Sequence, residues 1–68
     1  MKIFQTRLKE LRIERTMSLR DMGRILGVDH KTYFNYENGK TEPNLAMLLK
    51  IAKFFSTTPN YLLGVDDY

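Results

Sequence analysis

The stretch SLRDMGRILGVDHKTYFNYENGK, residues 18–40, decides the fold of this chain. Its pattern predicts two short helices joined by a tight turn at Gly27, because glycine adopts a positive φ at no steric cost. Ser18, followed three residues later by Asp21, is typical of a capping box at the start of the first helix. Asp29 is the candidate N-cap of the second helix. A short helix with a polar and basic outer side, held by a partner helix, suits the major groove of DNA.

The composition limits what else the chain can be. Its 68 residues allow one domain with one small core, and 43% hydrophobic with 28% charged residues is ordinary for a globular protein. There is no cysteine, so no disulfide or thiolate metal site is expected. No apolar run approaches the roughly 20 residues of a membrane span, and the N-terminus lacks the apolar core of a signal peptide. We therefore expect a cytoplasmic protein without a membrane partner.

Charge is distributed unevenly along the chain. Residues 1–40 hold nine Lys and Arg against five Asp and Glu, a net charge of +4, whereas residues 41–68 hold two against three, a net charge of −1. The basic part contains the predicted helix pair, which suits a polyanionic partner. If the charge is considered by itself, a solvated basic face that binds no partner explains it equally well.

Three further helices are predicted around this pair. The first runs from about Ile3 to Arg15, because Phe4, Leu8 and Leu11 form an apolar stripe at helical spacing. Ile13 falls on the polar side of this helix and is expected to be exposed. A positive φ at Arg15 or Thr16, where glycine is absent, would cost about 1 kcal/mol. Gly23, inside the second helix, indicates either close approach of a neighbouring helix or a flexible helix.

The C-terminal part predicts a fourth and a fifth helix. Asn44 caps the fourth, from Leu45 to about Phe55, with an apolar face formed by Leu45, Leu48, Leu49, Ala52 and Phe55. Thr58 caps the fifth, with Pro59 at its first position and an end at Gly64. No strand pattern or repeat is present, so the sequence predicts an all-α fold with residues 1–68 as a single domain.

Short motifs along the chain resemble a known family. They are RLKELR (7–12), Gly23, LGV (26–28), YENGK (36–40), Pro43, LLKIAKFF (48–55) and YLLG (61–64). Together they resemble the DNA-binding domain of phage repressor and Cro proteins, the XRE-type helix-turn-helix family, over about residues 4–66. The resemblance implies a compact five-helix, repressor-like bundle with a central helix-turn-helix.

The resemblance also implies roles for individual residues. Arg12 and Glu37 match a family pair that forms a buried ion pair and holds the fold. Tyr33 and Tyr36 match core positions of the recognition helix, and their helical phase favours packing over stacking on DNA.

Two groups of polar residues match positions that face DNA. Those facing the major groove, as base contacts, are His30, Lys31, Thr32 and Asn35. His30 could instead contact phosphate or cap the helix start, and a metal role does not fit a lone histidine. Those facing the phosphates, each with an alternative capping or turn role, are Ser18, Asn38, Lys40, Thr41 and Asn44.

Two residues depart from the family pattern. Leu19 takes the place of a glutamine that braces the recognition helix and touches phosphate. Phe34 takes a position that is commonly polar and points away from the core. It could contact thymine methyls, sugar or another protein.

The leading hypothesis is a sequence-specific, double-stranded DNA-binding transcriptional regulator, a repressor of phage or bacterial type. Its recognition helix would span about Asp29–Asn38. It would bind a palindromic operator as a homodimer, with half-sites about one helical turn apart; a monomer in solution is also compatible with the sequence. The dimer surface would involve the last helix, around Tyr61, Leu62 and Leu63, although Leu62 could equally close the monomer core.

Two other classes of function are alternatives to this one. The first is a protein-interaction module that keeps the fold with little base-specific DNA binding, motivated by Leu19 and Phe34. The second is an enzyme, which a chain with one histidine, no cysteine, no glycine-rich phosphate loop and no paired carboxylates does not favour. The sequence predicts no cofactor and no metal.

Overall fold

Five helices follow one another in the computed structural model, which describes residues 1–68 and contains no strand. In chain order they are α1 (Lys2–Glu14), α2 (Leu19–Leu26), α3 (His30–Asn38), α4 (Leu45–Phe54) and α5 (Pro59–Leu63). The predicted all-α, five-helix fold is confirmed. The ends of α1 and α4 differ from the predicted ones by a single residue, since α1 spans Lys2–Glu14 and α4 stops at Phe54.

Four helices begin at a polar side chain that accepts a hydrogen bond from a first-turn N–H: Ser18, Asp29, Asn44 and Thr58. The predicted capping box at α2 is present. The Asp21 N–H donates to Ser18 Oγ at 3.0 Å, and the Ser18 N–H donates to Asp21 Oδ2 at 2.9 Å. Because Asp21 accepts the Ser18 backbone N–H, the pKa of its carboxyl is lowered. These caps explain why the helix starts could be predicted from sequence.

The helix ends are of two kinds. Gly27, as predicted, closes α2 in the left-handed conformation with a φ of 74°, and α3 and α5 also end at glycine. Thr16 and Ser56, which follow α1 and α4, each adopt a φ of 54° without being glycine. The sequence identified Arg15 and Thr16 as residues that would be strained if either adopted a left-handed φ, and Thr16 adopts it. The left-handed φ at Ser56 was not predicted. Such residues store about 1–2 kcal/mol of strain each.

A single cluster of buried side chains connects all five helices. Its members are Phe4, Leu8, Met22, Leu26, Tyr33, Tyr36, Leu48, Ile51, Ala52, Phe55 and Leu62. The predicted stripe on α1 is confirmed at Phe4 and Leu8, with Leu11 partly buried, and Ile13 is exposed as expected.

The predicted apolar face of α4 was partly wrong. Leu48, Ala52 and Phe55 are buried, but Leu45 is 71% exposed and Leu49 is 51% exposed. Ile51, which was not predicted, is fully buried in their place. The helix is apolar on nearly every side, so more than one spacing of its apolar residues fits a helical face, and packing against α2 and α5 selects the one that includes Ile51.

Gly23 explains how tightly α2 lies against the start of α3. A Cβ on Gly23 would lie 2.8 Å from the carbonyl oxygen of Val28 and 3.1 Å from the backbone nitrogen of His30. Close approach is therefore the reason for this glycine, and the alternative of a flexible helix is not needed. From the other side, Lys50 Nζ on α4 donates to the Leu26 carbonyl at 3.0 Å, at the end of α2. The position of the turn is thus set by contacts on both sides.

Two arginines at α1 contact backbone carbonyls in the C-terminal half of the chain. Arg7 on α1 donates to the Tyr61 carbonyl and, at 2.6 Å, to the Asp66 carbonyl, and its guanidinium lies 4.2 Å from the centre of the Tyr61 ring. Arg15 donates to the Phe54 carbonyl at 3.2 Å. These contacts hold α1 against the segments that end α4 and α5.

Candidate nucleic-acid interface

The inner face of α3 belongs to the core. Tyr33 is fully buried and Tyr36 is 9% exposed, as their helical phase predicted. Their ring centroids lie 6.4 Å apart at an interplanar angle of 82°, an edge-to-face arrangement that aromatic pairs favour. Both rings therefore fix the orientation of α3 and are unavailable for stacking on bases.

An ion pair connects the C-terminal part of α3 to α1. Arg12 Nε donates to Glu37 Oε2 at 2.6 Å, and Arg12 Nη2 donates to Glu37 Oε1 at 3.1 Å, so the contact is bidentate. The side chains are 14% and 3% exposed. The hydrogen bond to Glu37 raises the pKa of Arg12 further above its ordinary value. Both charges are therefore committed to the fold.

The hydroxyl of Tyr33 is buried beside this ion pair and has no hydrogen-bond partner. Burial, with the nearby Glu37 carboxylate as a second cause, raises the pKa of Tyr33 far above its ordinary value. The phenol therefore stays neutral throughout the physiological pH range. It adds no charge to α3.

The outer face of α3 carries the four predicted base-contact residues. Lys31 and Thr32 are exposed, and His30 and Asn35 are half-buried. The side chains of Lys31, Thr32 and Asn35 make no hydrogen bond within the chain, while His30 Nδ1 lies 3.6 Å from Asp29 Oδ1. A lysine can donate to guanine O6 or N7, an asparagine can contact adenine with two hydrogen bonds, and a threonine methyl can contact a thymine methyl. The face thus offers uncommitted groups of the types that distinguish base pairs.

The five predicted phosphate-contact residues are all exposed: Ser18, Asn38, Lys40, Thr41 and Asn44. In three of them the side-chain oxygen already accepts a backbone N–H. Asn38 Oδ1 accepts the Lys40 N–H at 2.9 Å, Asn44 Oδ1 accepts the Met47 N–H at 2.8 Å, and Ser18 Oγ is engaged in the capping box. The hydroxyl and amide hydrogens of these side chains remain as donors. The capping and phosphate-contact roles are therefore compatible in the same residue.

A cleft beside α3 was not predicted from the sequence. Its volume is about 300 Å³, and it is lined by Lys9, Arg12, Leu19, Phe34, Glu37 and Asn38. It brings together the two residues that depart from the family pattern. Leu19 is half-buried and packs against the core, and Phe34 is 45% exposed. Lys9 lies about one turn before Arg12 on α1, within the RLKELR motif, and was not among the predicted contact residues.

No three His, Asp or Glu side chains lie close enough together to hold a metal ion. No helix is sufficiently long and apolar to cross a membrane.

Two packed helices with a glycine turn, the second presenting an uncommitted polar face, define a helix-turn-helix domain. The helix-turn-helix family model matches residues 8–62, more than half of the chain. This protein therefore belongs to the XRE-type helix-turn-helix family, and the resemblance found in the sequence is confirmed.

Individual relatives agree with the family model. The chain is 41% identical over 58 residues to the HTH-type transcriptional regulator AnsR of Bacillus subtilis, covering 85% of this chain and 50% of that protein. It is 34% identical over 53 residues to the cryptic phage CTXphi transcriptional repressor RstR of Vibrio cholerae, covering 78% and 48%. An uncharacterised HTH-type transcriptional regulator of Methanocaldococcus jannaschii is 37% identical over 63 residues, covering 93% and 96%. No solved structure gives a significant match.

The first two relatives are longer than this chain. The chain spans about half the length of each of them. The similarity therefore concerns the helix-turn-helix domain.

Proposed function

We propose that this chain is a sequence-specific, double-stranded DNA-binding transcriptional regulator, of the repressor type. The observation that carries the proposal is the outer face of α3, where Lys31 and Thr32 are exposed, Asn35 is half-buried, and none of the three side chains has a hydrogen-bond partner within the chain. Membership of the helix-turn-helix family supports it. So do the relatives named as transcriptional regulators and as a phage repressor. Residues 1–68 would act as one DNA-binding domain, in the cytoplasm where bacterial and phage DNA is transcribed.

In this proposal α3 enters the major groove and contacts base edges. His30, Lys31, Thr32 and Asn35 would supply hydrogen bonds and one methyl contact, which can distinguish all four base pairs there. The internal contacts of Tyr33, Tyr36 and Glu37 hold α3 rigidly, so the outer side chains keep a fixed register. Rigid presentation reduces the entropy lost on binding.

The phosphates would be held at both ends of the helix pair. Ser18 and Asn44 lie at helix N-termini, where free N–H groups and the positive end of the helix dipole attract phosphate. Lys40 adds a full positive charge, while Asn38 and Thr41 add neutral donors. Phosphate contacts of this kind supply much of the affinity and make binding fall steeply with salt.

We further propose that two copies bind a palindromic operator as a homodimer. Leu62 is fully buried in the monomer, so its alternative role in the core is the correct one. The exposed residues of this region are Leu63, at 39%, and Val65, at 70%, with Tyr61 half-buried under Arg7. A contact through these residues would place the two recognition helices on half-sites about one helical turn apart.

Selection of bound duplexes from a random-sequence DNA pool at moderate salt tests the proposed function. We expect recovery of a palindrome whose half-sites are about 10 base pairs apart, centre to centre. Recovery of no sequence above background, with binding only at very low salt, would overturn sequence-specific regulation. It would favour a protein-interaction module instead.

A further inference from the structure

Asn38 and Gly39, at the end of α3, have a chemical reactivity that the proposed DNA contacts do not use. The chain has four asparagines, and only Asn38 precedes a glycine, since the others precede tyrosine or leucine. With glycine in the next position, no side chain obstructs the approach of the backbone nitrogen to the asparagine carbon Cγ. A five-membered ring can then close between the two residues, provided that both reacting groups are accessible.

The nitrogen that would attack is free. The Gly39 N–H forms no hydrogen bond within the chain, whereas the residue that follows each of the other four helices donates its N–H to a carbonyl of that helix. Asn38 and Gly39 are both exposed, so hydroxide from the solvent can reach this N–H. Removal of its proton therefore breaks no internal hydrogen bond.

The carbonyl that would be attacked is polarised. Asn38 Oδ1 accepts the Lys40 N–H at 2.9 Å, in a turn that folds the side chain forward along the main chain. The same N–H would stabilise the negative oxygen that forms when a nucleophile adds to Cγ. Lys9 lines the same cleft as Asn38 and adds a positive charge to its surroundings.

Asn44 shows which of these features distinguishes Asn38. Asn44 is also exposed, and its Oδ1 accepts the Met47 N–H at 2.8 Å. The residue after it, however, is Leu45, whose side chain hinders attack by its backbone nitrogen. Exposure and a polarised carbonyl are thus shared, and the glycine with a free N–H is found only after Asn38.

We propose that Asn38 is a site of spontaneous deamidation, and that its conversion weakens DNA binding as the protein ages. The Gly39 nitrogen gives its proton to hydroxide and bonds to Asn38 Cγ. The bond from Cγ to Nδ2 breaks, and Nδ2 takes a proton from water and leaves as ammonia. Water then opens the cyclic imide. Cleavage of the new bond at Cγ gives an aspartate, and cleavage of the original peptide bond gives an isoaspartate.

Both products carry a carboxylate where Asn38 has a neutral amide. The amide hydrogens, which are the proposed donors to phosphate, are lost, and a negative charge appears beside the DNA backbone. The isoaspartate also adds one carbon to the main chain before Gly39, which displaces the loop that carries Lys40. This consequence rests on the proposed function, whereas the deamidation itself does not. Operator binding would thus decline with time and without an effector.

The first test follows the chemistry alone. The folded wild-type protein is incubated in mildly alkaline buffer, and its peptides are sequenced by mass spectrometry. Residue 38 should gain about one mass unit, because an amide –NH₂ becomes –OH, and Asn44 should stay unchanged. The rate should rise in proportion to hydroxide concentration. Asn38→Gln is the control, since ring closure on its longer side chain is much slower. Equal conversion at Asn38 and Asn44 would contradict the assignment.

A second test asks whether the folded protein reacts. The same chain in urea gives the rate for the unfolded state. Because the end of a helix opens without global unfolding, the folded-state rate should lie within about a hundredfold of the rate in urea. A larger reduction would overturn the proposal, since a reaction that required global unfolding would be slowed by about a thousandfold or more.

A third test measures the effect on DNA binding with the operator recovered by the wild type. Asn38→Asp should weaken binding about tenfold and lower the slope of log affinity against log salt by about 0.9. Asn60→Asp, which adds the same charge at an exposed residue of α5, is the matched control and should change the slope far less. Aged wild-type protein should lose affinity in step with conversion, and aged Asn38→Gln protein should lose none.

Two failures can be told apart. Undiminished operator affinity in fully converted protein would refute the link between deamidation and DNA binding. If the wild type selects no operator at all, the proposed function fails, while the mass change at residue 38 is still observed.

Discussion

The two faces of α3 differ in how their polar groups are used. On the inner face Tyr33 and Tyr36 are buried, and Glu37 places both carboxylate oxygens on Arg12. On the outer face the side chains of Lys31 and Asn35 make no hydrogen bond within the chain. The nine residues of this helix thus divide, by their angle around the helix axis, into side chains committed to the fold and side chains without a partner in the chain. Substitutions on the inner face should therefore change unfolding, and those on the outer face should change DNA binding.

The largest effect is expected at the inner face. Glu37→Gln leaves the Arg12 guanidinium without its charged partner, which should cost about 3 kcal/mol of unfolding free energy. For a domain of this size that is a large part of the total stability. Urea unfolding followed by circular dichroism measures it. Glu14→Gln is the control, at an exposed residue of α1, the helix that carries Arg12. Its unfolding free energy should stay near that of the wild type. A loss below about 0.5 kcal/mol would show that the pair is dispensable.

The complementary effect is expected at the outer face. Lys31→Ala and Asn35→Ala should each weaken operator binding by about 1–3 kcal/mol, because each removes a proposed hydrogen bond to a base edge. The unfolding free energy should change by less than about 0.5 kcal/mol. Fluorescence anisotropy on the operator, paired with urea unfolding, separates the two quantities. Equal losses of binding free energy and of unfolding free energy would contradict the proposal that the two faces of α3 have separate roles.

Gly23 offers a way to disturb both faces at once. In Gly23→Ala the new methyl meets backbone atoms of Val28 and His30, so α2 and α3 must move apart. We expect a loss of about 1–2 kcal/mol in stability, after the better helix propensity of alanine is included. Because the start of α3 moves, operator affinity should fall as well.

The matched control is Gly27→Ala, whose Cβ would have space but whose backbone has a φ of 74°. That variant should lose stability through backbone strain. A Gly23→Ala protein as stable as the wild type would show that the close approach of α2 to the start of α3 does not require glycine at this residue.

The smallest effect concerns pH and the cap of α2. The pKa of the Asp21 carboxyl is lower in the folded protein than its ordinary value of 3.8. The ionised carboxylate therefore stabilises the fold at any pH above 3.8, and this contribution is lost as the pH falls through the folded-state pKa. Wild type should therefore lose stability more steeply than Asp21→Asn in strongly acidic solution. Thermal unfolding midpoints between pH 2 and 7 measure this, with Asp66→Asn as the control. Parallel curves for wild type and Asp21→Asn would contradict the assigned hydrogen bonds.

Local signals explain which parts of the fold could be predicted. Ser18, Asp29, Asn44 and Thr58 mark helix starts because capping depends on residues that are close in sequence. The inner face of α3 followed from helical phase. These features need no knowledge of the distant parts of the chain, and each of them was predicted.

Other contacts depend on distant parts of the chain and could not be predicted. Leu45 and Leu49 were expected to be buried, yet the packing of α4 selects Ile51, which no local pattern distinguishes. Arg7 binds backbone carbonyls, so the residue types of its partners carry no signal. The cleft at Lys9 needs α1, α2 and α3 in place before its residues meet. Base preference at the outer face depends on a DNA partner outside the chain, so it is obtained by measurement.

The central claim is that the outer face of α3 specifies the operator sequence. It is tested most directly by selecting DNA from the same random pool with the wild type and with Asn35→Ala, and comparing the two sets of recovered duplexes. We expect the same palindrome with preference lost at one base pair of each half-site, and unchanged preference elsewhere. Recovery of identical sequences by both proteins would contradict it, because α3 would then not contact bases through this face.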